Sequence, residues 1–333
     1  MAFDAQRINT KFGLIALDDC RDVALGGSVD AGDGVSFHDR CPIALPDHWK
    51  EWLGTLATDH VHDANLIIAV QVTSATPQIL DAETNAVDER LRALFYCLLL
   101  DGIVDYRAGV AFLGGIGPDG SLSVRQHYQI PTAYRHAAGS RPRVTPAAVT
   151  RAKRRAEVLM GLHVHDDYRR LRAGFRACIA GIEEITPQER IHQYVRAIDG
   201  LMHIPVGNGR ETFAARGQTF VSGNNVADAL RDLYRLRNAQ EHLNSLRAAI
   251  TAADDDEFQR VASLRAYQAQ QGALFCYGRL FDNAPLLQQF ETDASTDVFW
   301  ALSDVARSGL WGTAFDMDAA EIEHNRVYAL LHH

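Results

Sequence analysis

The stretch LRDLYRLRNAQEHLNSL (residues 230–246) repeats its apolar residues at helical spacing, and Asn225, with Asp228 three residues on, opens a run that the pattern extends to Ile250. On an ideal helix Val226, Leu230, Leu233 and Arg237 share one stripe, so an arginine stands at a position of core type. Ala239, Leu243, Leu246 and Ile250 form a second stripe on another face, which predicts a change of packing partners close to Arg237, Asn238 and His242. A local break of pattern of this kind marks a candidate site.

Arginine, asparagine and histidine suit RNA cleavage without a metal. A guanidinium holds a phosphate and the charge that develops on it, and an imidazole moves protons near neutral pH. Arg237 and His242 are thus the candidate phosphate holder and acid/base, and Asn238 the residue that orients them. A separation of five residues sets Arg237 and His242 about 140° apart on an ideal helix, so one helix alone makes a poor active site. Two copies facing across a two-fold axis would bring both pairs to one cleft, which makes a homodimer part of the expectation.

Arg196/His203 and Arg326/His332 have similar spacing, but Arg237/His242 adds an Asn directly after the Arg and Leu-x-x-Leu-Tyr before it. Upstream lie RIHQYVRAIDGLM (190–202) and FAARGQTFV (213–221). In order and spacing these segments resemble the Apea-like branch of the HEPN superfamily, whose Arg-x(4 to 6)-His motif sits on such a helix. The resemblance spans roughly residues 187–279. It implies an all-α HEPN-type helical bundle and a metal-independent endoribonuclease in which the 2'-hydroxyl attacks the adjacent phosphate, leaving a 2',3'-cyclic phosphate and a 5'-hydroxyl. His242 would be the acid/base, Arg237 the phosphate holder and Asn238 the orienter. The family context implies a toxin or antiviral defence effector, restrained until a regulatory partner or trigger releases it. The alternative is a non-catalytic HEPN protein that binds RNA or a nucleotide, or dimerises.

Around this segment almost every stretch of the sequence beyond Gly139-Ser140-Arg141-Pro142 has helical periodicity, and strand signals nearly vanish. Thr145-Pro146 and Thr186-Pro187-Gln188-Glu189 each place an N-cap before a proline at the first helical position, and another helix runs roughly over 256–280. The first part reads differently. FGLIALDD (12–19), NLIIAVQVTS (65–74) and the pair VAFLGGI and LSVRQHYQI around Pro118-Asp119-Gly120 predict strands, the last two a hairpin, and residues 81–100 predict a helix capped by Asp81. The expected architecture is an α+β sensor or substrate-selection domain over 1–142 and a helical domain over 143–333.

The composition is globular, at 47% apolar and 23% charged residues, and no apolar run reaches the roughly 18 residues of a membrane helix. The N-terminus has no basic-then-apolar leader, and the five cysteines are scattered without a Cys-x-x-Cys pair, so a cytoplasmic protein is expected. A net charge of -9 repels polyanions at long range, and RNA contact then requires a local basic surface. Arg151, Lys153, Arg154 and Arg155, in a basic segment over 135–176, are the candidate RNA-binding residues; Arg216 extends the phosphate site and Tyr234 stacks on a base or packs in the bundle. The pairs His60/His62 and His163/His165 suit a metal only on a strand, and each follows helical sequence; no metal and no cofactor is expected.

Overall fold

Phe12, Leu14, Ile15, Ala16 and Leu17 are apolar on both alternating faces, a pattern that only a strand covered on both sides can bury. The computed structural model, which describes residues 2–20, 23–45, 47–101, 108–130, 144–163, 166–205, 207–242 and 244–332, places them at the centre of a six-stranded sheet. In chain order the first part forms β1 (Thr10–Asp18), β2 (Ser28–Gly32), β3 (Val35–His38), α1 (Asp47–Leu53), α2 (Thr55–Asp63), β4 (Ala64–Thr73), α3 (Ala82–Leu100), β5 (Ala108–Ile116), β6 (Leu122–Ile130) and α4 (Pro146–Leu162). The strands lie in the order β2-β3-β4-β1-β5-β6, each antiparallel to its neighbours. Phe12, Leu14 and Ala16 pack with Leu53, Ala57 and Val61 of α1 and α2. On the opposite face Val87 and Leu91 of α3 come so close to Gly13 that a Cβ there would lie 2.9 Å from Val87. The hairpin of β5 and β6 and the Asp81 cap of α3 form as the sequence predicts. The strands β2 and β3 were not among the expected elements, and the helical sequence before His60 forms two helices, α1 and α2.

Helix α4 begins at Pro146, as predicted, but up to Gly161 the described residues belong to the first compact unit, and the second begins at Leu162. The boundary expected after Pro142 is therefore too early. Charge pairing and apolar packing explain the assignment. Arg151 donates to Asp101 Oδ2 through Nε (3.0 Å) and Nη2 (2.7 Å), Arg155 Nη1 donates to Asp101 Oδ1 (2.6 Å), and Val149, Ala152 and Ala156 are buried. Val144 adds a parallel bridge to Val23.

The second unit comprises α5 (Arg169–Glu183), α6 (Pro187–Met202), α7 (Gly209–Gly217), β7 (Val221–Ser222), α8 (Val226–Glu241), α9 (Leu246–Ala249), α10 (Asp255–Asp282), α11 (Ala284–Gln288), α12 (Asp293–Ala301), α13 (Asp304–Trp311), β8 (Phe315–Asp316) and α14 (Met317–His332). It is helical apart from the short parallel pair β7 and β8. Helix α6 is its hub and packs against α5, α8 and α10. Thr186 caps α6 by accepting from the Glu189 amide, and Tyr194, Val195, Ile198 and Leu201 carry its buried face. The expected single helix from Asn225 to Ile250 is two helices. Helix α8 stops at Glu241, where Asn244 N returns to Ala239 O (2.8 Å) in a six-residue closing bond, and α9 follows as one turn. Asn244 and Ser245 favour such a turn over helix continuation. Among the described residues no helix is long and apolar enough to cross a membrane.

Candidate functional site

Helices α5 and α6 approach closely because Gly174 and Gly200 face each other: a Cβ on Gly200 would lie 3.1 Å from the Cα of Gly174 and 3.3 Å from Arg170 O. This brings Arg170 of α5 beside Asp199 of α6. From the other side α8 presents Arg237, whose Nη2 lies 3.7 Å from Asp199 Oδ2. Helix α7 closes the arrangement. Its first residue, Gly209, sits against the Tyr234 hydroxyl, where a Cβ would come within 2.1 Å, so glycine alone lets the helix start there. The result is a polar cleft of about 620 Å³ lined by Arg170, Asp199, Asn208, Arg210, Arg237 and Asn238, with Ile204, Pro205 and Tyr234 also on its wall.

Two arginines of this cleft, Arg237 and Arg170, are only loosely paired with carboxylates. Arg237 donates through Nη1 to Asn238 Oδ1 (2.9 Å), but its carboxylate neighbours stand at 3.7 Å (Asp199) and 3.5 Å (Glu241). Arg170 Nε lies 3.7 Å from Asp293 Oδ1. The Nε atoms of both arginines are buried without a hydrogen-bond partner among the described residues. Burial pushes the Asp199 carboxyl above its usual range, outweighing the lowering by Arg237 and Arg170. Glu241 is held below its usual range, chiefly by His192, whose Nε2 is 3.1 Å from Glu241 Oε1, and further by Arg237.

The predicted residues separate into distinct settings. Arg237 and Asn238 line the cleft, whereas His242 caps the C-terminus of α8, is exposed, and is not part of the cleft wall. Arg216, expected to extend the phosphate site, instead caps the end of α6: its Nη1 donates to Met202 O and to His203 O (2.7 Å), and its guanidinium lies over the Trp300 ring. Tyr234 packs rather than presenting a free face, with Phe213 at 5.3 Å and the Arg237 guanidinium at 5.5 Å from its ring. Within α4, Arg151 and Arg155 are bound to Asp101, and Lys153 to Asp33 (2.8 Å) and Glu157 (2.9 Å), while Arg154 is exposed. The expected positions Arg135, Arg141, Arg143 and His165 lie outside the described residues. His60 and His62 are on α2, where a two-residue step turns side chains to different faces, and no group of three or more His, Cys, Asp or Glu among the described residues is placed to hold a metal.

Sequence reasoning places Arg170 only in the basic segment over 135–176, not in this cleft, and misses Asp199, His192 and the 207–209 loop as neighbours of Arg237 and Glu241. Gly207-Asn208-Gly209 reads as a turn, and Asn208 does lead into α7 as its N-cap, but its place on the cleft wall depends on Tyr234. No protein-family model, curated protein or solved structure matches the chain.

Proposed function

We propose that the second unit is a metal-independent endoribonuclease of HEPN type, and that the cleft around Arg237 is where it holds RNA phosphate. The observation that carries the reading is the loosely paired Arg237 on the cleft wall, with a buried Nε that has no hydrogen-bond partner among the described residues and Asn238 locking one side of its guanidinium. Phosphate and carboxylate oxygens are the acceptors such a fork fits best, and phosphate is the one RNA supplies. The resemblance of the Arg237-Asn238-x-x-x-His242 segment to the HEPN motif supplies the chemistry: His242 exchanges protons with the 2'-hydroxyl and the leaving oxygen while Arg237 holds the phosphate. Because His242 is exposed at the end of α8, outside the cleft wall, the reaction calls for a second copy to complete the site. Toxin or antiviral defence activity, released by a trigger, follows from the same resemblance.

The position of His242 also favours a second reading, in which the cleft binds RNA or a nucleotide without cutting it. One experiment separates the two. Wild-type, Arg237→Ala and His242→Ala proteins are incubated with mixed cellular RNA in EDTA, and new 5'-hydroxyl ends are mapped. Discrete ends in the wild type that both variants lack support the nuclease. RNA that is bound but stays intact in all three, across every trigger tried, leaves the binding reading in its place.

A further inference from the structure

The arginines of α4 and the pair Arg170 and Arg237 of the cleft wall are used in opposite ways. In α4, Arg151 and Arg155 make contacts of 3.0 Å or less to Asp101. On the cleft wall, Arg170 stands 3.7 Å from its closest carboxylate among the described residues, that of Asp293, beyond hydrogen-bonding distance, although its Nε is as enclosed as that of Arg237. A buried guanidinium N–H without an acceptor costs free energy, and on the wall of an open cleft a bound ligand can supply that acceptor. Asp199 adds a second indication. It is the common neighbour of Arg170 and Arg237, and its carboxylate stays too far from Arg237 to close a fork, so both cations are aligned without being neutralised.

We propose that Arg170 is a second phosphate-holding residue: with Arg237 it grips the RNA backbone from the opposite wall of the cleft, so that α5 and α8 together form one oxyanion clamp. The assignment rests on the reading of the cleft as an RNA-phosphate site. Neither the motif on α8 nor any spacing along the chain specifies this residue. Its place is created by the Gly174 and Gly200 contact, which brings α5 to the cleft wall. The guanidinium is required, because a forked donor engages two oxygens where a lysine ammonium offers a point charge.

The test uses the full-length protein carrying His242→Ala, so that RNA is not consumed, and a fluorescently labelled single-stranded RNA titrated at several salt concentrations. Arg170→Gln is expected to weaken binding about tenfold and to lower the slope of log affinity against log salt by ~0.7, the signature of one lost phosphate contact on a single strand. Arg170→Lys is expected to keep the slope and lose part of the affinity. Asp293→Asn removes the carboxylate nearest Arg170 and is expected to leave binding at least as strong as before. If Arg237→Gln weakens binding while Arg170→Gln leaves affinity and slope unchanged, the clamp is overturned and the cleft reading stands. If neither variant changes binding, the cleft reading itself fails. Should Arg170→Gln not fold, as judged by its melting curve, the lysine variant decides: undiminished affinity overturns the proposal.

Discussion

Asp199 and Asp81 are carboxylates driven in opposite directions by their surroundings, and stability measured against pH distinguishes them. The Asp199 pKa is raised, so the folded state takes up its proton more readily than the unfolded chain does; the stability it contributes is fullest below the usual carboxyl value and is lost as pH rises through the folded value. Asp199→Asn is therefore expected to raise the melting temperature at pH 7, with the gain closing as the medium is acidified. Asp81 is the reverse case. The hydrogen bond from the buried Lys11 ammonium, ahead of those from Thr76 and the Thr84 amide, holds Asp81 at about 2. Its contribution is present above the usual value of 3.8 and is lost as pH falls toward 2. Asp81→Asn keeps an N-cap for α3 but removes the charge, so it is expected to lower the melting temperature at neutral pH and to match the wild type near pH 2. At this scale the sequence shows Arg237 and Asn238 but not their neighbours. Arg170 lies on α5 and Asp199 and His192 on α6, and what draws α5 to α6 is the close packing of Gly174 and Gly200, which carries no signature in residue spacing.

Among the elements, α5 and α6 set the width of the cleft. A methyl group on Gly174 would meet the Tyr277 hydroxyl at 2.1 Å and Ala197 O at 2.9 Å, and that same hydroxyl donates to Ala197 O (3.0 Å). Helix propensity favours alanine over glycine by about 1 kcal/mol. The clash involves backbone and a buried ring that cannot swing aside, so overpacking of about 1–3 kcal/mol is expected to dominate. Urea unfolding of Gly174→Ala would show a lower midpoint, whereas an unchanged or higher midpoint would mean that α5 yields without cost. Element identities were legible wherever one period ran uninterrupted. The strands β1 and β4 are long apolar runs, and α3, α4 and α6 announce their starts with caps. Strand β2 is short, largely exposed and built from Ser, Val, Asp, Ala and Gly, so no apolar alternation marks it. The end of α8 was misread because Leu246 and Ile250 continue a helical stripe by coincidence of spacing: they are buried, but from α9 and its C-cap.

For the whole molecule, the ownership of α4 is the feature that composition hides, since a loop-like sequence shows where the chain turns and not which body claims the next helix. A fragment ending at residue 142 would lose α4 with Arg151 and Arg155 and lay open the apolar surface that Val149, Ala152 and Ala156 pack against. A fragment of residues 1–161 is thus expected to melt cooperatively, and one of 1–142 to be unstable or insoluble, as thermal denaturation followed by circular dichroism would show. The dimer requirement has its own test. Mixing inactive Arg237→Ala and His242→Ala chains regenerates one intact site per mixed dimer if the arginine and histidine of a site come from different copies, and restores nothing if both come from one. The pairing within α4 has a further consequence, for the kinetics of encounter. With Arg151, Lys153 and Arg155 bound to carboxylates, α4 offers little free positive charge to guide a polyanion inward against a net charge of -9. Association would then proceed at the unsteered rate of about 10⁵–10⁶ M⁻¹s⁻¹, and added salt would act on how long a captured strand stays rather than on how fast it arrives.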